Sequence, residues 1–142
     1  DAAIISNAGL QMDNITPEAA QYIFGNGLAT TVEFAQANPK AVEGFGRTYR
    51  RGVDLARVDP ERVLDNCAKY NQQELEDRNY ARAVLDVVIQ SATPLGDDAW
   101  GYMRPENWER LEADTIAAGD YTGDSFELTD VYTNDFVAAF NE

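Results

Sequence analysis

From residue 31 onward, apolar positions in this chain recur mostly at spacings of three and four, which is the signature of amphipathic helices packed on one face. The clearest runs from Pro39 to about Val58 and places Val42, Phe45, Tyr49, Val53 and Ala56 on one stripe. Asn38-Pro39 opens it and Asp59-Pro60 opens the next, which reaches about Tyr70. In each pair a side-chain oxygen stands at the N-cap and proline at the first helical position, where its missing N–H forfeits no bond. A helix from about Gln73 to Ser91 is expected to bury Ala81, Val84, Leu85, Val88 and Ala92. Pro105 starts another, carrying Trp108, Leu111 and Thr115, and Gly119 ends it. A last helix from about Asp130 is expected to present Tyr132, Phe136 and Phe140 as a packing stripe. A short helix over residues 31–37 has Val32 and Phe34 as its anchors. Gly44, Gly46 and Gly52 each weaken the long helix by about 1 kcal/mol against alanine, which hints at close backbone packing.

The start of the chain reads differently. Residues 1–6 form a brief apolar run, the pattern of a short buried strand, and residues 11–18 are connector. Tyr22-Ile23-Phe24 is expected to be a strand or an extended crossing segment, closed by Gly25-Asn26-Gly27. One short strand needs a sheet, and the helical remainder offers almost nothing to pair with it. Residues 1–6 and 20–28 are therefore expected to pair with each other, with a neighbouring copy in a self-associated form, or with further sequence. The chain opens on Asp1, and we read it as a fragment or processed product of mostly α structure.

Composition narrows the function classes. With 142 residues, 44% of them hydrophobic, the chain is expected to fold as a single domain with a core. Its 25 acids against 11 bases give a formal charge of −14, which speaks against nucleic-acid binding. The same charge suits an extracytoplasmic or salt-exposed surface. Cys67 is the sole cysteine and histidine is absent, so an intrachain disulfide, a cysteine metal cluster and the usual general base are all lacking. An enzyme is not expected, and neither is a cofactor.

Four motifs carry a family resemblance. They are Asn38-Pro39-Lys40-Ala41-Val42-Glu43-Gly44-Phe45, then Arg51-Gly52-Val53 leading to Asp59-Pro60-Glu61, then Asp98-Ala99-Trp100-Gly101-Tyr102-Met103 before Trp108, and finally Val131-Tyr132-Thr133-Asn134-Asp135-Phe136. In this order they resemble the C-terminal part of type II periplasmic solute-binding proteins of ATP-driven (ABC) importers, in the branch that handles sulfonates such as taurine, nitrate and thiamine pyrimidine precursors. The resemblance implies a two-lobed α/β protein that closes on a small-molecule solute and presents it to an ABC permease. Residues 1–28 would form the lobe-crossing segment, and residues 29–142 the helical part that packs on the first lobe. Location would be periplasmic or otherwise extracytoplasmic.

The resemblance also implies ligand-binding candidates: Asn7 after the first strand, and Tyr22 and Asn26 beside the crossing segment. In pyrimidine-handling relatives a Glu follows that strand. Asn7 cannot pair with a protonated aminopyrimidine as a carboxylate does. Related pyrimidine synthases carry a cysteine cluster before the crossing segment, where this chain has Ala19, Ala20, Tyr22 and Phe24. That departure disfavours the enzyme branch. A free-standing helical interaction module is the other alternative.

The remaining features read as structure. Trp100, Tyr102 and Trp108 could stack on a flat solute, but at this spacing they are expected in the core. Asp97, Asp98, Asp120, Asp124 and Glu127 do not follow a calcium-loop spacing and read as solvated acids. Cys67 is expected to be a buried, inert thiol. Arg78 and Arg82 are expected to pair with Glu74, Glu76 and Asp77 on an exposed face.

Overall fold

A computed structural model describes residues 5, 8–11, 13, 15–20, 22–94, 96–121, 123 and 127–142. The chain is mostly helical, and no strand occurs among the described residues. The helices are α1 (Val32–Ala37), α2 (Pro39–Val58), α3 (Pro60–Ala68), α4 (Arg78–Ser91), α5 (Pro105–Ala118) and α6 (Val137–Phe140). Of the expected first strand only Ile5 is described, and it is helical rather than extended. The segment 22–24 is not a strand either; it consists of a turn and irregular chain.

Helix starts follow their local signals. Asp59 Oδ1 accepts from Arg62 N at 3.1 Å and caps α3, and Thr31 Oγ1 caps α1 through Phe34 N at 3.2 Å. Asn38 departs from expectation. Its amide and its Nδ2 both donate to Phe34 O, so it closes the end of α1 rather than capping α2. The helix expected from Gln73 is interrupted: Gln73–Leu75 is a 3₁₀ turn, and Asp77 accepts from Tyr80 N at 3.0 Å to start α4 at Arg78. Gly119, at φ 78°, ends α5 in the left-handed region that favours glycine.

Helix α2 is the hub, since α1, α3, α4 and α6 all pack on it. The buried apolar side chains are Val53 and Ala56 of α2, Leu64 of α3, Ala81 of α4 and Val137 of α6. The expected α2 stripe therefore divides: Val53 and Ala56 are inside, whereas Phe45 is 61% and Tyr49 43% exposed. Gly46 takes the inward place one turn earlier, because the ring of Phe140 lies on it. A Cβ at Gly46 would overlap the Phe140 ring, and one at Gly101 would stand 3.3 Å from the ring's other side. Gly44 and Gly52 face open space, so close packing explains one of the three helix glycines. Val32 and Phe34 are exposed and do not anchor α1; Val84 and Val88 of α4 are also exposed.

The C-terminal segment is sewn down by amide side chains. Asn134 accepts from Met103 N (3.0 Å) and donates to Met103 O (2.8 Å), while Asn141 does the same for Trp100 at 3.2 and 3.0 Å. These bonds, with the Thr133 hydroxyl accepting from Asp135 N at 3.1 Å, compete with helical bonding. The expected helix from Asp130 is thus reduced to a 3₁₀ turn at Leu128–Asp130 and the single turn of α6. Arg47 and Arg50 of α2 donate to Ala139 O and Phe140 O, satisfying carbonyls at that short helix's end. Arg78 reaches Glu61 and Asp65 of α3, at 2.8 and 2.7 Å.

Candidate functional site

The candidate site is a concavity on α5. Pro105 starts this helix at its first position, and Trp108, Leu111, Glu112 and Thr115 follow at the spacings that share a helix face. Tyr121, just past the Gly119 turn, completes a cavity of about 160 Å³ open on one side. The Trp108 indole is contacted by two distant parts of the chain. Phe24 approaches it at 4.9 Å between centroids, and Tyr132 stacks on it at 5.1 Å and 11°.

On the same helix, Trp108 Nε1 and Glu112 Oε1 are each closed to solvent and lack a hydrogen-bond partner. The Thr115 hydroxyl is spent on Leu111 O at 2.6 Å. Each unpaired buried atom costs about 1–3 kcal/mol, while the surface that the cavity itself presents is almost wholly apolar.

Next to it lies a polar triad. Tyr22 donates to Asp114 Oδ2 at 2.5 Å, and the Arg110 guanidinium lies 4.1 Å over the Tyr22 ring. Arg110 and Asp114 also face each other one turn apart along α5, at 3.7 Å. The hydrogen bond to Asp114 raises the Tyr22 phenol above its ordinary pKa; burial and the carboxylate's charge add to this, and Arg110 opposes it.

Of the residues expected to bind ligand, Tyr22 is thus held on α5 by its ring and its hydroxyl. Asn26 is exposed and lines neither this cavity nor the larger one described below. Asn7 lies outside the described residues. The structure does not bring Tyr22 and Asn26 together around one concavity. Glu112 escaped sequence reasoning, although an acid inside the Trp108–Leu111–Thr115 stripe was a readable signal. Trp100 and Trp108 are half-buried, as a packing role requires, and Tyr102 is 42% exposed.

No family model, curated protein or solved structure matches the chain.

A second, larger groove of about 440 Å³ lies between α3 and α4, walled by Leu64, Ala81, Val84 and Val88 among others. Cys67 lines it and is exposed, correcting the expectation of a buried thiol. Asp98 is engaged by Arg104 at 2.6 Å rather than solvated alone. Among the described residues, no group of three or more His, Cys, Asp or Glu is placed to hold a metal ion, and no helix is long and apolar enough to cross a membrane.

Proposed function

We propose that this chain is the C-terminal part of a two-lobed type II solute-binding protein, the extracytoplasmic component of an ABC importer for a small organic or anionic solute. On this reading it is not an enzyme, and its partners are the solute and a membrane permease. The observation that carries the proposal is apolar surface left uncovered on an ordered helical body. Four large apolar side chains of its first two helices, Val32, Phe34, Phe45 and Tyr49, are exposed.

Phe45 and Tyr49, one turn apart on α2, lie on part of that surface, and Val32 and Phe34 of the adjoining α1 add to it. A first lobe packed there would cover them. Three of the motifs that carry the family resemblance also fall at structural joints: Asp59 caps α3, Gly101 passes under Phe140, and Asn134 clamps Met103. In the two-lobed protein, Tyr22 steadies the crossing segment against α5, leaving Asn7 and Asn26 as its groups for the solute.

Calorimetry tests the proposal. The chain alone and the protein extended upstream of Asp1 are each titrated with taurine, other sulfonates, nitrate and pyrimidines. Capture of a small solute must overcome about 4–15 kcal/mol of lost freedom, which a half-built surface cannot offset. The chain alone should bind at millimolar level or weaker, and the extended protein far more tightly. Equal micromolar binding by both would contradict a two-lobed site. The same open surface also suits a free-standing helical interaction module. Reading upstream of Asp1 separates the two: the importer reading requires a secretory or lipoprotein signal and about 180 further residues.

A further inference from the structure

Residues 22–24 reach α5 through two side chains. Tyr22 brings its hydroxyl to Asp114 Oδ2 and its ring beneath the Arg110 guanidinium, while Phe24 sets its ring against Trp108. Ile23 between them is exposed, and its amide bonds locally, to Ala20 O at 3.3 Å. The exposed Gly25-Asn26-Gly27 follows, and a Cβ at either glycine would meet nothing within 4 Å. Nothing packs against the backbone there, so the two glycines are free to turn. Arg110 and Asp114 are themselves exposed, and contacts at exposed positions are individually weak. The segment can therefore leave α5 while the buried residues around α2 stay in place.

We propose that the Trp108–Arg110–Asp114 face of α5 is a binding site for a peptide segment of another chain with tyrosine two residues before phenylalanine. Residues 22–24 are its built-in occupant, an autoinhibitory contact that swings off at Gly25-Asn26-Gly27. The face reads the motif in three ways: Asp114 accepts the phenolic O–H, Arg110 covers that ring, and Trp108 receives the second ring. Charge sets the flanks of the motif. Helix α5 carries four acids, Glu106, Glu109, Glu112 and Asp114, against the single base Arg110, so an acidic segment is repelled. The internal occupant obeys this rule, because residues 19–28 include no charged side chain. Tethering raises the local concentration of the internal segment, so an outside one competes poorly until the latch is gone. The site is made by α5 and residues 22–24, so it does not depend on the importer reading.

Nuclear magnetic resonance of the Tyr22→Ala/Phe24→Ala chain, with a peptide of residues 19–28 as the probe, tests the site. The Arg110 and Asp114 amide peaks and the Trp108 indole N–H peak should shift saturably at millimolar peptide, while the Trp100 indole N–H stays in place. The native chain, its face already filled, should bind the peptide about tenfold more weakly. A peptide with phosphotyrosine in place of tyrosine should bind about tenfold more weakly than the plain one, because its charge meets Asp114. An emptied face that gives no saturable shift, or that binds no better than the native chain, would overturn the proposal. Should the double variant unfold, hydrogen exchange of the Asp114→Ala chain decides. Amides of residues 23–27 should exchange about tenfold faster than in the native chain, and those around Val53 and Leu64 at the native rate. Unchanged exchange at residues 23–27 would equally overturn it.

Discussion

Two regions of this molecule are held together by different means. Around α2, small side chains allow close approach: Phe140 lies on Gly46, and Val53, Ala56, Leu64, Ala81 and Val137 fill the interior. Around α5 no side chain is fully buried, and cohesion comes from Phe24 and Tyr132 on Trp108 and from Tyr22 on Asp114. The first region is specified by shape and should resist any change of volume. The second is specified by ring contacts and one charged hydrogen bond, and it leaves Trp108 Nε1 and Glu112 Oε1 buried without partners. Binding chemistry is more readily placed where packing has not consumed the polar groups.

The contrast sets an order of expected effects. Leu64→Ala in the hub should cost about 2–5 kcal/mol in denaturant unfolding, because the side chain it truncates is almost wholly buried. The half-buried Leu111 of α5 should lose clearly less on the same change. Gly46→Ala should destabilise by about 1–3 kcal/mol through overlap with Phe140, despite the better helix propensity of alanine. Gly52→Ala, with open space before it, should instead stabilise by about 1 kcal/mol. If the two glycine variants behaved alike, the close approach at Gly46 would be wrong.

Asn134→Ala removes both bonds to Met103 and should lower stability by about 1–3 kcal/mol, with fraying of the C-terminal segment visible in hydrogen exchange. The smallest effect concerns pH. Because the folded-state pKa of Tyr22 is raised, its contribution is complete below the unfolded value, 10.0, and is lost as pH rises through the higher folded value. The alkaline limb of a stability–pH profile, above about pH 10, should therefore be shallower in Tyr22→Phe. An unchanged limb would deny the Tyr22–Asp114 bond its role.

Local signals were the readable part of the fold. Proline and Asp59 placed the starts of α2, α3 and α5, and Gly119 placed an end, because each acts within one turn. The inward face of α2 was misassigned at Phe45 and Tyr49. Periodicity names an apolar stripe, but which part is buried depends on partners far along the chain, here Phe140 over Gly46. The last helix failed for a similar reason: Asn134 and Asn141 spend their amides on residues 31 and 41 positions away. At the candidate site, the helical spacing of Trp108 marked it as a packing aromatic, whereas pairing of Tyr22 with Asp114 spans 92 positions and has no local trace.

The central claim is that the exposed apolar face of α1 and α2 is an interior surface of a larger protein. Amide hydrogen exchange on the chain alone and on the protein extended upstream of Asp1 tests this directly. Amides of α1 and of the Phe45–Tyr49 turn should exchange markedly more slowly in the extended protein, while those around Val53 and Leu64, already protected, change little. Equal exchange at α1 and the Phe45–Tyr49 turn in both proteins would contradict the claim.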